Sequence, residues 1–583
     1  MTKRKIYTVF MAVASAVPIF LSACTQETQP LSPVSYTLMI YMCGSDLESV
    51  RGYASANIAD ILKADIPDGA DVIIQTGGAK EWHDERIPDA KSARFSADNG
   101  NLTPAGGSFD ADMGESGTLA DFIAFGKTHY PAEQYGLILW DHGTGSNGGV
   151  CYDELHDDNY LTLPEISDAL SESGLHFGFI GFDACLMATY DAVLALDGYA
   201  DRLIASQELE PGSGWDYSAL SALGREDFYS ILPDKYAQKQ AHTTYYTLSS
   251  IDLTQSERLS VLMDDICALI ASMPEQISPA MENSMQFGSG ERGYADSGLF
   301  DMRTFAYQMG MNEMDFSDMI YTVNGSARQD AFGVSIYFPE DEDALAAYGE
   351  VCGDEGYLNE LNDYFAREPA EGAVRFDLRG FVFDDKMSFT LTEDSLRYVR
   401  SVCYELHIIG EDPEQTFLYS IGTDNDITRA ASMFTVDFEG RWVWLGESLL
   451  HCRVYEERNG LTLFSARVGI GGKDCLLLFS YNGNTSALSA EGYIESGVGG
   501  SRILPLTDGL ELEILYYDPL VGEYVAEGSA VWGKDELSVA NLPGGTYQIV
   551  PKITDVFGHE YYAYTALVDF DGTSVTDIRI SAG

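Results

Sequence analysis

Basic residues are scarce in this chain. Lys and Arg number 34 against 91 Asp and Glu, for a formal charge of −57 over 583 residues. That balance excludes nucleic-acid binding as a main role, because a basic footprint carries such affinity. Docking on acidic lipid headgroups is disfavoured for the same reason. The nine Cys form no C-x-x-C pair and no zinc spacing with the nine His. Repeats, low-complexity tracts and long blocks of like charge are all missing. With 35 Tyr and 28 Phe, the chain is not disordered. What remains is an acidic, soluble body that attracts cationic partners. At 583 residues it is too long for one core, and roughly 100–200 residues per domain predicts two to four.

Lys3, Arg4 and Lys5 precede an apolar run over residues 7–21. The run contains Pro18 and falls short of the ~20 residues needed to span a bilayer. It reads as the n- and h-regions of a signal peptide. It ends in Leu21-Ser22-Ala23-Cys24, which resembles the lipobox of bacterial lipoproteins. The resemblance implies removal of residues 1–23 and lipid on Cys24, with residues 24–35 as a polar tether. The chain is then exported and anchored to a bacterial membrane on its extracytoplasmic side. The plainer reading is an ordinary signal peptide with an incidental Cys. Eight cysteines remain, at wide and irregular spacings, and read mostly as small buried hydrophobes rather than a disulfide framework.

Short apolar runs at residues 36–42, 72–75, 136–140 and 177–182 read as strands, with helices at 47–64, 118–128, 163–171 and 255–273. Pro164 suits a first helical turn. Near-continuous hydrophobicity within the runs suits a parallel sheet covered on both faces. Residues 36–370 are therefore predicted to be an α/β domain of doubly wound type, with a late strand at 331–338. After about residue 370 helical periodicity fades. Strands at 374–383, 442–445, 461–468 and 476–481, with turns at Asn459-Gly460 and Asn482-Gly483, predict a β-rich module over 371–496. GVGGS at 497–501 reads as a joint. Strands at 510–517, 538–540, 547–554 and 561–570 predict a small β-sandwich over 497–583.

Two strand ends carry chemistry. The strand at 136–140 runs into Asp141-His142-Gly143-Thr144-Gly145, and the strand at 177–182 into Asp183-Ala184-Cys185. Ligands of open α/β sheets bind outside the carboxyl ends of strands. A Cys beside a His is a nucleophile with a proton carrier. The glycines after His142 let backbone N–H groups approach a substrate, as an oxyanion hole requires. On these residues alone, two unrelated core side chains remain an equal reading.

The stretches YTLMIYMCGSDLES, YPAEQYGLILWDHGTG, FIGFDACLMA and FGVSIYFP closely resemble the clostripain family of cysteine peptidases. That family shares a caspase-like fold with legumains and gingipains, and the resemblance covers roughly residues 36–368. It implies Cys185 as nucleophile and His142 as the acid that protonates the leaving amine. It also implies the N–H groups of Gly143 and Cys185 as oxyanion donors. Family members commonly cleave after Arg or Lys through acids in the S1 pocket. Asp183 is placed for that role, its alternative being a helix cap. Glu208, Glu210 and Asp216 are candidates for a second acid, and the sequence does not choose among them. Protein or peptide substrates follow, cationic ones being favoured by the charge.

Some relatives cut themselves between the catalytic His and Cys. Residues 143–184 hold eight acidic residues and no Lys or Arg. Either the enzyme works as one chain or its specificity is not basic. Calcium activates some relatives, and Asp110-Ala111-Asp112 and Asp424-Asn425-Asp426 are loop clusters with suitable oxygens, though neither is an EF-hand. No cofactor is required by the chemistry, no metal site is assigned, and a monomer is expected. Two rivals stand beside the peptidase reading. One is a catalytically silent scaffold whose β modules grip a surface protein or glycan. The other is transpeptidation by the same dyad.

Overall fold

A computed structural model describes residues 35–288, 297–312, 315–367, 374–377, 387–411, 416–458, 460–496 and 502–581. The expected signal segment, Cys24 and most of the tether lie outside the described residues. So do the joint at 497–501 and most of the expected strand at 374–383.

The first part of the chain alternates strands and helices. Strand β1 (Tyr36–Cys43) is followed by β2 (Ala70–Gly77), β3 (Ala93–Asp98), β4 (Asn101–Pro104) and β5 (Gln134–Trp140). A hairpin of β6 (Gly149–Asp153) and β7 (Asn159–Thr162) precedes β8 (Phe179–Asp183), β9 (Arg202–Ala205) and β10 (Thr247–Asp252). Then come β11 (Gln286–Phe287), β12 (Leu299–Asp301), β13 (Ile320–Asn324) and β14 (Ser335–Tyr337). Nine strands form one sheet in the order β13-β10-β9-β8-β5-β1-β2-β3-β4. The five central ones, β2, β1, β5, β8 and β9, are parallel. The antiparallel strands sit toward the edges.

Alternation along the strands explains the two layers. Met39, Tyr41 and Cys43 of β1 enter one apolar core, with Leu137, Leu139, Ile180 and Phe182. Leu38, Ile40 and Met42 enter the other, with Ile138, Trp140 and Phe179. Every residue of β1 is buried. Each large side chain so placed contributes roughly 1.5–3 kcal/mol. The expected doubly wound, mostly parallel sheet is thus observed.

The helix expected over 47–64 is two, α1 (Ser45–Ser49) and α2 (Tyr53–Lys63). Gly52 breaks it with φ +68°, and the Glu48 carboxylate takes the Ser55 N–H at 2.8 Å and its hydroxyl at 2.5 Å. Helix α3 spans Ser116–His129 and α4 spans Leu163–Ser173. A reciprocal capping box of Thr162 and Glu165, with Pro164 in the first turn, starts α4. The strand expected at 331–338 is shorter, and β14 lies in a separate sheet with β11 and β12. The reason is local: the N–H groups of Phe332 and Gly333 bond the Asp301 and Gln207 side chains instead of a ladder.

The later strands pair across the expected boundary at 496/497. The strand Val399–Glu411 lies between Thr416–Asp424 and Gly545–Asp555. Leu461–Ile470 meets Glu511–Asp518 at Val468 and Ile514, and Arg441–Leu445 pairs with Leu537–Asn541. The described strands of 371–496 and of 497–583 therefore share sheets, where a β-rich module and a separate small sandwich were expected. The turn signal at Asn482-Gly483 falls between the paired strands Lys473–Asn482 and Ala487–Glu495, but such signals carry no information on these distant pairings. This β region also docks on the first domain. Leu476, Ile494, Ile503 and Phe557 join the same core as Met39 and Leu137. Arg51 pairs with Glu495 at 2.7 Å, and Thr243 and Thr244 bond Glu491.

Candidate active site

The sheet order reverses between β1 and β5, since the chain passes from β1 to β2 on one side and to β5, β8 and β9 on the other. Ligands of such sheets bind at that reversal, beyond the carboxyl ends. Ser45 and Asp46 follow β1, Asp141 and His142 follow β5, and Cys185 follows β8. Because Trp140 pairs with Asp183 in parallel register, the residues two further on, His142 and Cys185, leave the sheet side by side.

His142 is almost fully buried, and its Nε2 lies 2.7 Å from Asp46 Oδ1. With a carboxylate as partner, Nε2 carries hydrogen and donates. Burial opposes ionisation of Asp46, but the hydrogen bond and charge of His142 outweigh it and hold the carboxyl at about 2. Asp141 behaves in the opposite way. Its complete burial raises it to about 7, against the pull of His142 and of the Ser45 hydroxyl at 2.5 Å. The Tyr152 N–H also donates to it at 2.6 Å.

Cys185 is buried, and its Sγ accepts the Glu210 N–H at 3.1 Å. An N–H aimed at sulfur favours negative charge there. Leu186, the next residue, has φ +65°, a left-handed turn that sets the thiol at the top of β8. Gly143 packs directly on the Cys185 carbonyl, leaving no room for a Cβ. A glycine is thus required where the oxyanion donor was expected. The other thiols at this edge belong to the core. Burial pushes Cys43 and Cys151 well above the usual thiol range.

Of the acidic candidates, Asp183 and Glu210 come together. Asp183 is completely buried and does not cap the following helix. Its Oδ2 takes the Tyr217 hydroxyl at 2.8 Å, and its Oδ1 lies 2.9 Å from Nη2 of Arg502. Glu210 takes the Trp215 indole N–H at 3.1 Å. Burial first, and the charge of Asp183 second, raise Glu210 well above the carboxylate range. Glu208 is committed elsewhere, to a fully buried pair with Arg328 at 2.7 Å and to the N–H groups of Leu209 and Gly288. Asp216 caps a short 3₁₀ turn by accepting the Ser218 N–H at 2.9 Å.

Family membership follows from the extent of the match. The model of the clostripain family, peptidase family C11, matches residues 40–351, more than half of the chain. The chain belongs to the clostripain family. Clostripain of Hathewaya histolytica is 32% identical over 130 residues, covering 19% of this chain and 24% of that protein. The match thus spans about a quarter of that relative's length. Among solved structures, a secreted C11 cysteine protease from Bacteroides thetaiotaomicron, in complex with an irreversible peptide inhibitor, is 19% identical. It covers 56% of this chain and 99% of that one, with a TM-score of 0.43. An inactive zymogen C11 protease from Parabacteroides distasonis is 21% identical, covering 57% and 96%, with a TM-score of 0.42.

Two residues of the site escaped sequence reasoning. Asp46 lay inside the family-like opening stretch and directly after a strand, which was a usable signal. Arg502 sits in the distant β region directly after the expected joint at 497–501, and no chemical motif marks it.

The calcium candidates are engaged by the protein itself. Lys91 pairs with Asp110. Asp112 accepts from Gly114 and Asn159, and Asp424 from Tyr404 and Asp426. Ligand atoms of Asp112, Asp153 and His156 lie within 4.8 Å of one another. An imidazole and two carboxylates do not fit calcium, which takes six to eight oxygens.

Proposed function

We propose that this chain is a cysteine endopeptidase that cleaves after Arg or Lys. What carries the reading is that His142 and Cys185 follow the neighbouring parallel strands β5 and β8 at one edge, with the Glu210 N–H on the thiol sulfur and the buried carboxyl of Asp183 two residues before it. Cys185 gives its proton to His142 and attacks the scissile carbonyl, and the resulting tetrahedral oxyanion collapses to a thioester as the peptide C–N bond breaks. His142, oriented by Asp46, delivers a proton to the leaving amine. Water then hydrolyses the thioester and restores the thiol. Gly143 and Cys185 supply N–H groups for the oxyanion. Asp183, with Glu210, meets the cationic P1 side chain. No cofactor enters this chemistry, and EDTA is expected to leave the rate unchanged.

A panel of fluorogenic peptides varied at P1 tests the reading beside Cys185→Ala. Hydrolysis after Arg or Lys that vanishes in the variant is the expected result. Hydrolysis after other residues removes the acidic pocket, new amides in place of free carboxylates indicate transpeptidation, and silence toward every peptide favours the binding scaffold. We also propose export and lipid anchoring through Cys24, supported by the basic start, the apolar run and the Leu-Ser-Ala-Cys sequence. No described helix is long and apolar enough to cross a membrane. Loss of the chain from the membrane fraction in Cys24→Ser is the expected outcome.

A further inference from the structure

We propose that the segment Arg502–Leu504 is a substrate-mimicking plug seated in the chain's own specificity pocket, and that the peptidase works at full rate only when this segment withdraws. The inference rests on the acidic-pocket reading above.

The side chain of Arg502 behaves as a P1 arginine should. It is buried with its guanidinium 2.9 Å from Asp183 Oδ1 and 4.7 Å above the Trp140 ring. The same Nη2 donates to the carbonyl of Asp141, at 3.3 Å, and to that of Asp183. Those carbonyls close the two strands that present the candidate dyad. Gly214, with φ +59°, makes the space, because a Cβ there would come within 2.5 Å of Arg502 Nη1 and 2.7 Å of Asp183 Oδ1.

The main chain behaves as a bound peptide does. The Ile503 N–H donates to the Glu210 carbonyl at 2.9 Å, and the Gly212 N–H donates to the Ile503 carbonyl at 2.7 Å. Ile503 thereby pairs with Pro211 in a single parallel bridge, the start of a strand-addition contact. Peptide recognition by strand addition takes affinity from such bonds and specificity from a side-chain pocket. The register sets Arg502 beside Glu210, whose N–H holds the Cys185 sulfur. Cys185 is fully buried, so a substrate reaches it only after something moves. Among the described residues, the segment 502–504 reaches this edge from the β region and not from the peptidase sheet. It is tethered to the β region through the pairing of Leu504 with Tyr493.

A purely structural arginine in so buried a site would spread its bonds over the whole fork. Here Nε and Nη1 of Arg502, and Oε2 of Glu210, have no hydrogen-bond partner among the described residues. Charge, ring contact and strand pairing hold the plug, and an arginyl substrate offers the same three. The plug is therefore displaced by substrate, which leaves a basal rate.

The test uses the full chain as wild type, Arg502→Ala, Arg502→Lys and Ile503→Pro. The proline removes the N–H that bonds Glu210 while keeping the arginine. Two rates are measured: hydrolysis of an arginyl peptide, and alkylation of Cys185 by a peptidyl-arginine chloromethyl ketone, read by mass. Arg502→Ala and Ile503→Pro are expected to be at least tenfold faster than wild type in both, and Arg502→Lys close to wild type. Benzamidine, which mimics the arginine head, is expected to bind Cys185→Ala/Arg502→Ala at least tenfold more tightly than Cys185→Ala by calorimetry. Equal or slower rates in folded Arg502→Ala and Ile503→Pro, with unchanged benzamidine binding, would overturn the plug. If arginyl peptides are then still cleaved, the acidic pocket stands without it. If the released variants prefer non-basic peptides, the pocket itself fails. Should Arg502→Ala not fold, Ile503→Pro decides.

Discussion

The two halves of this protein are built on opposite principles. In the first, parallel strands are covered on both faces, and the chain returns through helices, so every catalytic candidate leaves the sheet at one edge. In the second, antiparallel strands pair across great sequence distance, as Val399–Glu411 does with Gly545–Asp555. The first arrangement gathers chemistry at strand ends. The second spreads its working contacts along strand edges and loops, and it reaches the first half at Glu491, Glu495 and Ile503. One region concentrates reactive groups, and the other clasps them.

The sharpest way to break this contrast is truncation after residue 496. It strips Val399–Glu411 of its Gly545–Asp555 partner and exposes a long edge. Aggregation in size-exclusion chromatography is expected; a monodisperse product with unchanged circular dichroism would show that the β region does divide at the joint. Next comes Cys185→Ala, which should lower peptide hydrolysis by at least about 10³-fold without lowering the melting temperature. A parallel fall in both would make the thiol a packing residue.

The buried pair of Glu208 and Arg328 is a stability element of the first half. Glu208→Ala removes the carboxylate from the buried Arg328 guanidinium and should cost about 3–5 kcal/mol in urea unfolding. A smaller effect would return Glu208 to the list of substrate-binding acids. The gentlest change is Asp46→Asn. By loosening His142 it should lower kcat/KM by about 10- to 100-fold and alter the pH profile. Asp46 is depressed in the fold to about 2 from 3.8. Its contribution to stability is therefore complete above the unfolded value and lost as pH falls through about 2. The variant should lack that acid-side loss in melts between pH 5 and 2.

The same contrast governs what could be read in the sequence. Continuous apolar runs located β1, β2, β5 and β8 within a few residues, because burial on both faces leaves a strong local signature. His142, Cys185, Gly143 and Asp183 could be named as candidates because they closely follow such runs. Gly52 was the visible weak point of the helix expected over 47–64, but a lone interior Gly is also tolerated, so the break was decided only in the fold. Choosing Glu210 over Glu208 and Asp216 needed the fold, since Arg328 and the Ser218 N–H claim the other two. The sharing of one sheet across residue 497 was illegible for a similar reason: alternation reveals a strand but not its partner. Arg502 combined both difficulties, an unremarked residue placed by a distant pairing.

All eight cysteines among the described residues carry free thiols. Cohesion here comes from burial and strand pairing, without covalent cross-links between these positions. The described part of the chain therefore asks nothing of an oxidising compartment in order to fold. It should show the same melting temperature with and without a reductant such as dithiothreitol.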